Sequence, residues 1–229
     1  MSSNSFPAKL LRFIGIVLMA LTGGFTLLGG IGTACVAFAP LEFGESMSKL
    51  APFQWLYILF VLFGIAIGVL GIWATVKLAR GLSDSYRMSL QALVAGVLVG
   101  AIHIYMSRLL RGKSMPVDAV VYTTVFTLVV FLLFKLPPVW QGVDFSKAKA
   151  SDGKKAGGAA ALVAGLFTLS IQFTMGATHT WGGVNYANAF NMTMTLAGIG
   201  LMALGAALLL PWDGLMSVFR PRAALSDGS

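Results

Sequence analysis

The sequence predicts an all-α protein, a polytopic membrane helix bundle of six transmembrane helices with both termini in the cytoplasm. Three observations carry that expectation. Of 229 residues, 57% are hydrophobic and only 10% are charged, whereas a soluble domain carries roughly a quarter charged residues. The charges are segregated: long stretches hold none, where a soluble fold would spread them over every exposed face. The apolar stretches also form six blocks near the length that crosses a bilayer, about 20 residues at 1.5 Å rise over roughly 30 Å of hydrocarbon.

The six spans run over Ile14–Phe38, Trp55–Val76, Leu90–Ser107, Val117–Phe134, Gly158–Gly176 and Phe190–Leu210. The third, fourth and fifth are near the short limit. Each must be helical if it crosses lipid, because only a helix satisfies its backbone hydrogen bonds within one segment. A membrane β-barrel would alternate apolar and polar residues in strips of roughly ten, but Leu128–Phe134 is apolar at every position. The first span is expected to be retained. Gly32-Thr33-Ala34-Cys35 has the outline of a lipoprotein cleavage box, but Gly32 stands where a larger aliphatic residue is usual and the apolar stretch is long for a signal peptide. Cys35 is the single cysteine, so no internal disulfide forms and cysteine usage does not report the redox compartment.

Orientation follows from the basic residues. With the N-terminus inside, only Lys49, Arg108, Arg111 and Lys113 of the 16 Lys and Arg lie outside, as the positive-inside rule requires. Trp55, Trp73, Trp140, Trp181 and Trp212 all fall at or near span ends, the level at which tryptophan anchors to the interface. The net charge of +8 is thereby explained by topology, and nucleic-acid binding, which needs a solvated basic face, is not expected. Residues 144–157 read as a flexible cytoplasmic linker of Lys, Ala, Ser, Gly and Asp, and no convincing internal repeat is detected across it. Residues 211–220 read as an interfacial segment.

No Asp, Glu, Lys or Arg sits in a span interior. An intramembrane ionisable group is the usual mark of a proton relay or ion pathway, so a proton-coupled transporter, pump or voltage sensor is disfavoured. The chain has no Gly-x-Ser-x-Gly elbow, no His-Glu-x-x-His and no phosphate loop. With two histidines, it cannot build a three-histidine metal site by itself. The 27 glycines include Gly64-x3-Gly68 and Gly96-x3-Gly100, small-residue patterns that let helix backbones approach closely.

Polar residues inside the spans fall on faces. Gly96, Gly100, His103 and Ser107 share one stripe of the third span, so His103 faces another helix. Gly165, Thr168, Gln172 and His179 form a second stripe; Asn188, Asn191, Thr195 and Gly198 form a third; Thr123 and Thr127 share a face of the fourth span. In the expected topology His103, Gln172, His179, Asn188 and Asn191 all fall in the outer half. Because buried polar groups need partners, these stripes are expected to converge. They form either an interhelical hydrogen-bond network or a cavity for a lipid, quinone, isoprenoid or pigment. Haem or chlorin ligation by His103 or His179 is compatible with their placement but not demanded by it. Arg108, Arg111 and Lys113 break the positive-inside rule in one short outer loop, which suggests lipid phosphate, an acidic ligand or a partner's acidic residues. The expected role is a non-catalytic structural or accessory subunit whose partners are membrane lipids and other membrane protein subunits. The alternative is a binder or carrier of a lipid-like ligand.

Overall fold

The computed structural model describes residues 2–147, 150–175, 180–181 and 183–210. Among these it holds α1 (Phe6–Phe38), α2 (Glu45–Ser48), α3 (Gln54–Ala79), α4 (Ser85–Arg111), α5 (Val117–Phe134), α6 (Pro137–Val143), α7 (Ala150–Met175), α8 (Tyr186–Ala189) and α9 (Asn191–Leu209). A two-stranded antiparallel ribbon, β1 (Thr180–Trp181) with β2 (Val184–Asn185), lies in the connection before α8. Five helical segments are long and apolar enough to cross a membrane: Phe6–Phe38, Ala51–Ala79, Ser85–Arg111, Val117–Phe134 and Asn191–Leu209. The chain is an all-α, multi-pass membrane helix bundle. Residues 211–220 and His179 lie outside the described residues.

Most long helices exceed the apolar blocks that predict them. α1 starts at Phe6 rather than Ile14, and α4 runs from Ser85 to Arg111 rather than from Leu90 to Ser107. The added turns carry Lys9, Arg12, Arg87, Arg108 and Arg111. Apolarity reports the hydrocarbon depth, while the backbone stays helical beyond it until a breaker intervenes. For α4 that breaker is Gly112, at φ +71°, a left-handed C-terminal stop.

The expected flexible linker 144–157 is corrected over most of its length. Phe145 is buried, and residues 150–157 form the first turns of α7. The small residues that resemble a linker are packing residues. Gly153 lies against the Ala79 backbone, where a Cβ would collide with the carbonyl, and Ala156 joins the core made by Ile16, Leu78, Phe131 and Phe145.

Two antiparallel hairpins, α1–α3 and α7–α9, share one glycine register. In the first, Gly23 meets Gly71 and Gly30 meets Gly64; in the second, Gly158 meets Gly205 and Gly165 meets Gly198. A Cβ on Gly23 would fall 2.9 Å from the Gly71 carbonyl carbon, and one on Gly165 would fall 2.7 Å from the Gly198 oxygen. Each helix spaces its pair seven residues apart, and Leu27, Thr33, Phe38, Gly64-Ile65 and Leu70-Gly71 recur as Leu162, Thr168, Phe173, Gly198-Ile199 and Leu204-Gly205. Even the local bond recurs: Thr33 Oγ1 donates to the Gly29 carbonyl at 2.7 Å and Thr168 Oγ1 to that of Ala164 at 2.8 Å. The expectation of no internal repeat is therefore replaced by two hairpins of one register. The shared positions are few and widely spaced, which is too sparse a pattern to register along the sequence.

The hairpins meet where α7 packs against α1 and α3, with Phe25 edge-on to Phe167 at 5.3 Å between ring centroids. α4 and α5 pack against the first hairpin. α4 lies on α3, and α5 reaches α1 through a 2.8 Å hydrogen bond between the Thr22 and Thr127 hydroxyls. Since Thr127 Oγ1 donates to the Thr123 carbonyl at 2.9 Å, Thr22 is the donor to Thr127. α9 packs along α7 and makes no comparable contact with another long helix among the described residues.

Candidate functional site

Packing on α4 is set by its small residues. A Cβ on Gly96 would sit 3.2 Å from the Thr124 methyl, and Gly100 fits closely against Val121, so α5 comes near the α4 backbone. One turn further on, His103 enters the space between α3 and α4. Its ring stacks on Phe60, with centroids 4.4 Å apart and planes 15° apart, and Tyr57 meets its edge at 5.4 Å. His103 is only 9% exposed, and its ring nitrogens make no hydrogen bond to another described residue. They border a cavity of about 80 Å³ whose wall includes Thr26, Gly30, Gly64, Gly100 and Thr124. The Thr26 and Thr124 hydroxyls donate to the Thr22 and Val120 carbonyls, each at 2.8 Å, leaving their oxygens free to accept.

This cavity is small. Sites for drug-sized ligands and cofactors run to roughly 300–1,000 Å³, and a tetrapyrrole needs far more room than His103 borders. The space suits a few water molecules linking the imidazole to threonine oxygens, since a water needs only about 10–15 Å³ of such volume and two or more polar neighbours.

The basic loop has an internal partner. Arg108 Nε donates to Ser114 Oγ at 2.9 Å, and its Nη2 donates to Asp118 Oδ1 at 3.1 Å and to the Tyr122 hydroxyl at 3.2 Å. Ser114 Oγ lies 2.7 Å from Asp118 Oδ1 and 2.8 Å from Oδ2. Arg108 thus closes the turn between α4 and α5 rather than presenting an unpaired charge. Asp118 is the residue missed in the sequence; the available signal was an acid in the first turn of the helix after an Arg-rich helix end. Arg111 makes a long 3.5 Å contact with Ser46 Oγ. Lys113 is exposed, without an ion pair among the described residues.

Among the described residues, the His103 stripe and the Asn188–Asn191 stripe do not meet. His103 faces α3 and the cavity, while Asn188 and Asn191 are exposed beside α9. Their bonds are local: Asn188 N–H donates to Asn185 Oδ1 at 3.2 Å, and Thr195 Oγ1 donates to Asn191 Oδ1 at 3.0 Å. α9 stands at the edge of the bundle, so its face and that of α4 look into different spaces. The Gln172 side chain and all of His179 lie outside the described residues.

Other buried polar contacts escape a stripe analysis because they pair residues on different helices. Tyr57 and Ser107 hydroxyls bond at 3.0 Å. Tyr86 hydroxyl donates to the Phe131 carbonyl at 2.6 Å. Arg12, counted above as a topology signal, is 1% exposed and reaches the Gly142 and Ser3 carbonyls at 3.2 and 2.8 Å. Among the described residues no group of three His, Cys, Asp or Glu is placed to hold a metal ion. No family model matches the chain, and neither a curated protein nor a solved structure matches it.

Proposed function

We propose that this protein is a non-catalytic accessory subunit that joins a larger assembly in the cell membrane through α9. One observation carries the reading. In the first hairpin, the face of α3 holding Phe60 and Ile67 is covered by α4 at His103 and Gly96. The shared glycine register makes Met194 and Leu201 their counterparts on α9, with Ala197 and Leu204 beside them. No long helix other than α7 packs on α9 among the described residues; Met194 and Leu201 are half-buried, and Leu204 is 52% exposed where its counterpart Leu70 is half-buried. The proposed occupant is a partner's transmembrane helix bearing small residues, as α4 does. In lipid, close backbone approach and packing drive helix association.

In this reading the chain crosses the membrane six times, α7 being the fifth crossing, with both termini cytoplasmic. The 26 residues of α7 are long enough, at about 1.5 Å each, to cross about 30 Å of hydrocarbon. Lys113→Cys in a Cys35→Ser background is expected to react with a membrane-impermeant maleimide from outside intact cells. Labelling only after the cytoplasmic face is opened would overturn the topology.

The assembly reading is tested by placing bulk on the open face. Ala197→Trp should release the subunit from the complex extracted in mild detergent, giving a smaller particle. Ile199→Trp, about 200° around the helix from Ala197 at 100° per residue, should leave the particle size unchanged. Equal sizes for wild type and Ala197→Trp would rule out this face. The alternative, a lipid-like ligand beside His103, is disfavoured by the small cavity there.

A further inference from the structure

The α6 end of the bundle holds a second cavity, of about 170 Å³, between the start of α4 and the segment from Lys135 to Ser146. Its position follows from the local sequence. Leu136-Pro137-Pro138 stops α5 and starts α6, because proline lacks the N–H a continuing helix needs. The chain then turns back beneath α4, and Phe145 plugs into the core beside Phe131.

Three features of this cavity point to an anion. First, its cations are unneutralised. Lys135 Nζ lies over the Trp140 ring at 3.9 Å and near that of Tyr86 at 5.1 Å, and neither Lys135 nor Arg87 has an ion pair among the described residues. Second, Ser85 is 1% exposed and lines the cavity, yet its hydroxyl makes no hydrogen bond to a described residue. That hydroxyl is therefore free to donate into the cavity it lines, and an anion's oxygen would accept from it. Third, the N-terminus of the 27-residue helix α4 opens here with no side-chain cap, and its free N–H groups favour negative charge.

Two acids stand here, Asp84 at the α4 N-terminus and Asp144 in the cavity wall itself, and each is engaged by a lysine other than Lys135. Asp84, at the α4 N-terminus, is engaged by Lys77, whose hydrogen bond holds the carboxyl below its ordinary pKa. Burial pushes the Asp144 carboxyl up, but hydrogen bonds from Ser146 and Lys147 outweigh it and hold the group below its ordinary value. Asp144 is therefore ionised at neutral pH and already matched by Lys147 at 3.4 Å.

We propose that this cavity binds the phosphate of an anionic phospholipid, with Arg87 and Lys135 as its cations and Ser85 as a hydrogen-bond donor. A lipid is the favoured source because Trp140 and Tyr86, the aromatic walls, belong at headgroup level, where tryptophan and tyrosine concentrate. In the topology proposed above this is the cytoplasmic leaflet, the one richer in anionic lipid. The site does not depend on the α9 face.

The test uses the full chain in a neutral detergent. Dioctanoyl phosphatidylglycerol is titrated while tryptophan emission is followed, with Trp140→Phe identifying the part that comes from the cavity. The expected result is a saturable Trp140-dependent change. Arg87→Gln and Lys135→Gln should each weaken binding about fivefold, the effect expected for one basic residue at an anionic lipid surface. Both side chains are exposed, so neither change threatens the fold. Ser85→Ala should weaken binding further without altering saturation. Four outcomes would overturn the proposal: no Trp140-dependent change, unaltered affinity in the Arg87→Gln/Lys135→Gln double variant, equal affinity for dioctanoyl phosphatidylcholine, or equal affinity for inorganic phosphate. The last would assign the site to a free anion.

Discussion

Gly68→Ala, a single added methyl group, is expected to prevent the chain from accumulating as a folded, detergent-stable protein. The methyl would fall 2.5 Å from the Leu27 nitrogen and 2.6 Å from its Cα. Those are main-chain atoms, so no side-chain rotation relieves the collision and α1 must move away from α3. Overpacking in a well-filled core costs about 1–3 kcal/mol, and a clash with backbone belongs at the upper end. Gly24→Ala supplies the control, because a Cβ there meets nothing within 4 Å. It should leave stability unchanged or raise it by up to about 1 kcal/mol, the helix-propensity gain of alanine over glycine. The yield of monodisperse protein in detergent, and the thermal midpoint of aggregation of whatever is recovered, separate the two. Loss at both positions would mean that glycine is needed on α1 and α3 for some reason other than backbone contact.

Arg12→Ala is the second large effect. Arg12 is 1% exposed and joins α1 to the Gly142 carbonyl at the end of α6 and to Ser3 near the N-terminus. Hydrogen bonds to charged groups contribute about 1.5–3 kcal/mol each, and the buried Gly142 carbonyl would lose its donor. The α6 end should loosen first, since Phe145 beside it fills the core against Gly15, where a Cβ would lie 3.0 Å from the Phe145 ring. Limited proteolysis is expected to cut within residues 137–147 in the variant before the wild type is cut anywhere. Equal protection of that segment would show that Phe145 holds it without Arg12.

How legible these features are depends on which physical quantity each one uses. The span Val117–Phe134 is bounded by Pro116 and Lys135, both chemically distinct from its interior, and its predicted and observed limits coincide. α7 differs: Gly153 and Ala156 carry no hydrophobic signal, and only the neighbouring Ala79 backbone reveals that smallness there serves packing. His103 faces another helix, as its stripe with Gly96 and Gly100 implies. The partner faces are not legible, because periodicity places a residue on a side of its own helix without saying which helix lies opposite. Asn191 and His103 therefore read as one outer-half group, although α9 packs on α7. Arg12 and Arg108 illustrate the same limit for charge. Arg12 reads as a topology signal and Arg108 as an exception to the positive-inside rule, yet each makes specific bonds, Arg12 to the Gly142 carbonyl 130 residues on and Arg108 to Asp118 across the next turn.

The glycine register links these levels. Gly23, Gly30, Gly64 and Gly71 set the approach of α1 to α3, and Gly158, Gly165, Gly198 and Gly205 set that of α7 to α9. The first hairpin has α4 on its flank, and the second has no equivalent among the described residues. The most direct test of an accessory role is the mass of the particle extracted from native membranes in mild detergent, measured with its lipid and detergent subtracted. A protein mass above the 24.2 kDa of one chain, falling to that value with Ala197→Trp, is the predicted result. A wild-type particle containing one chain and no other protein would contradict it.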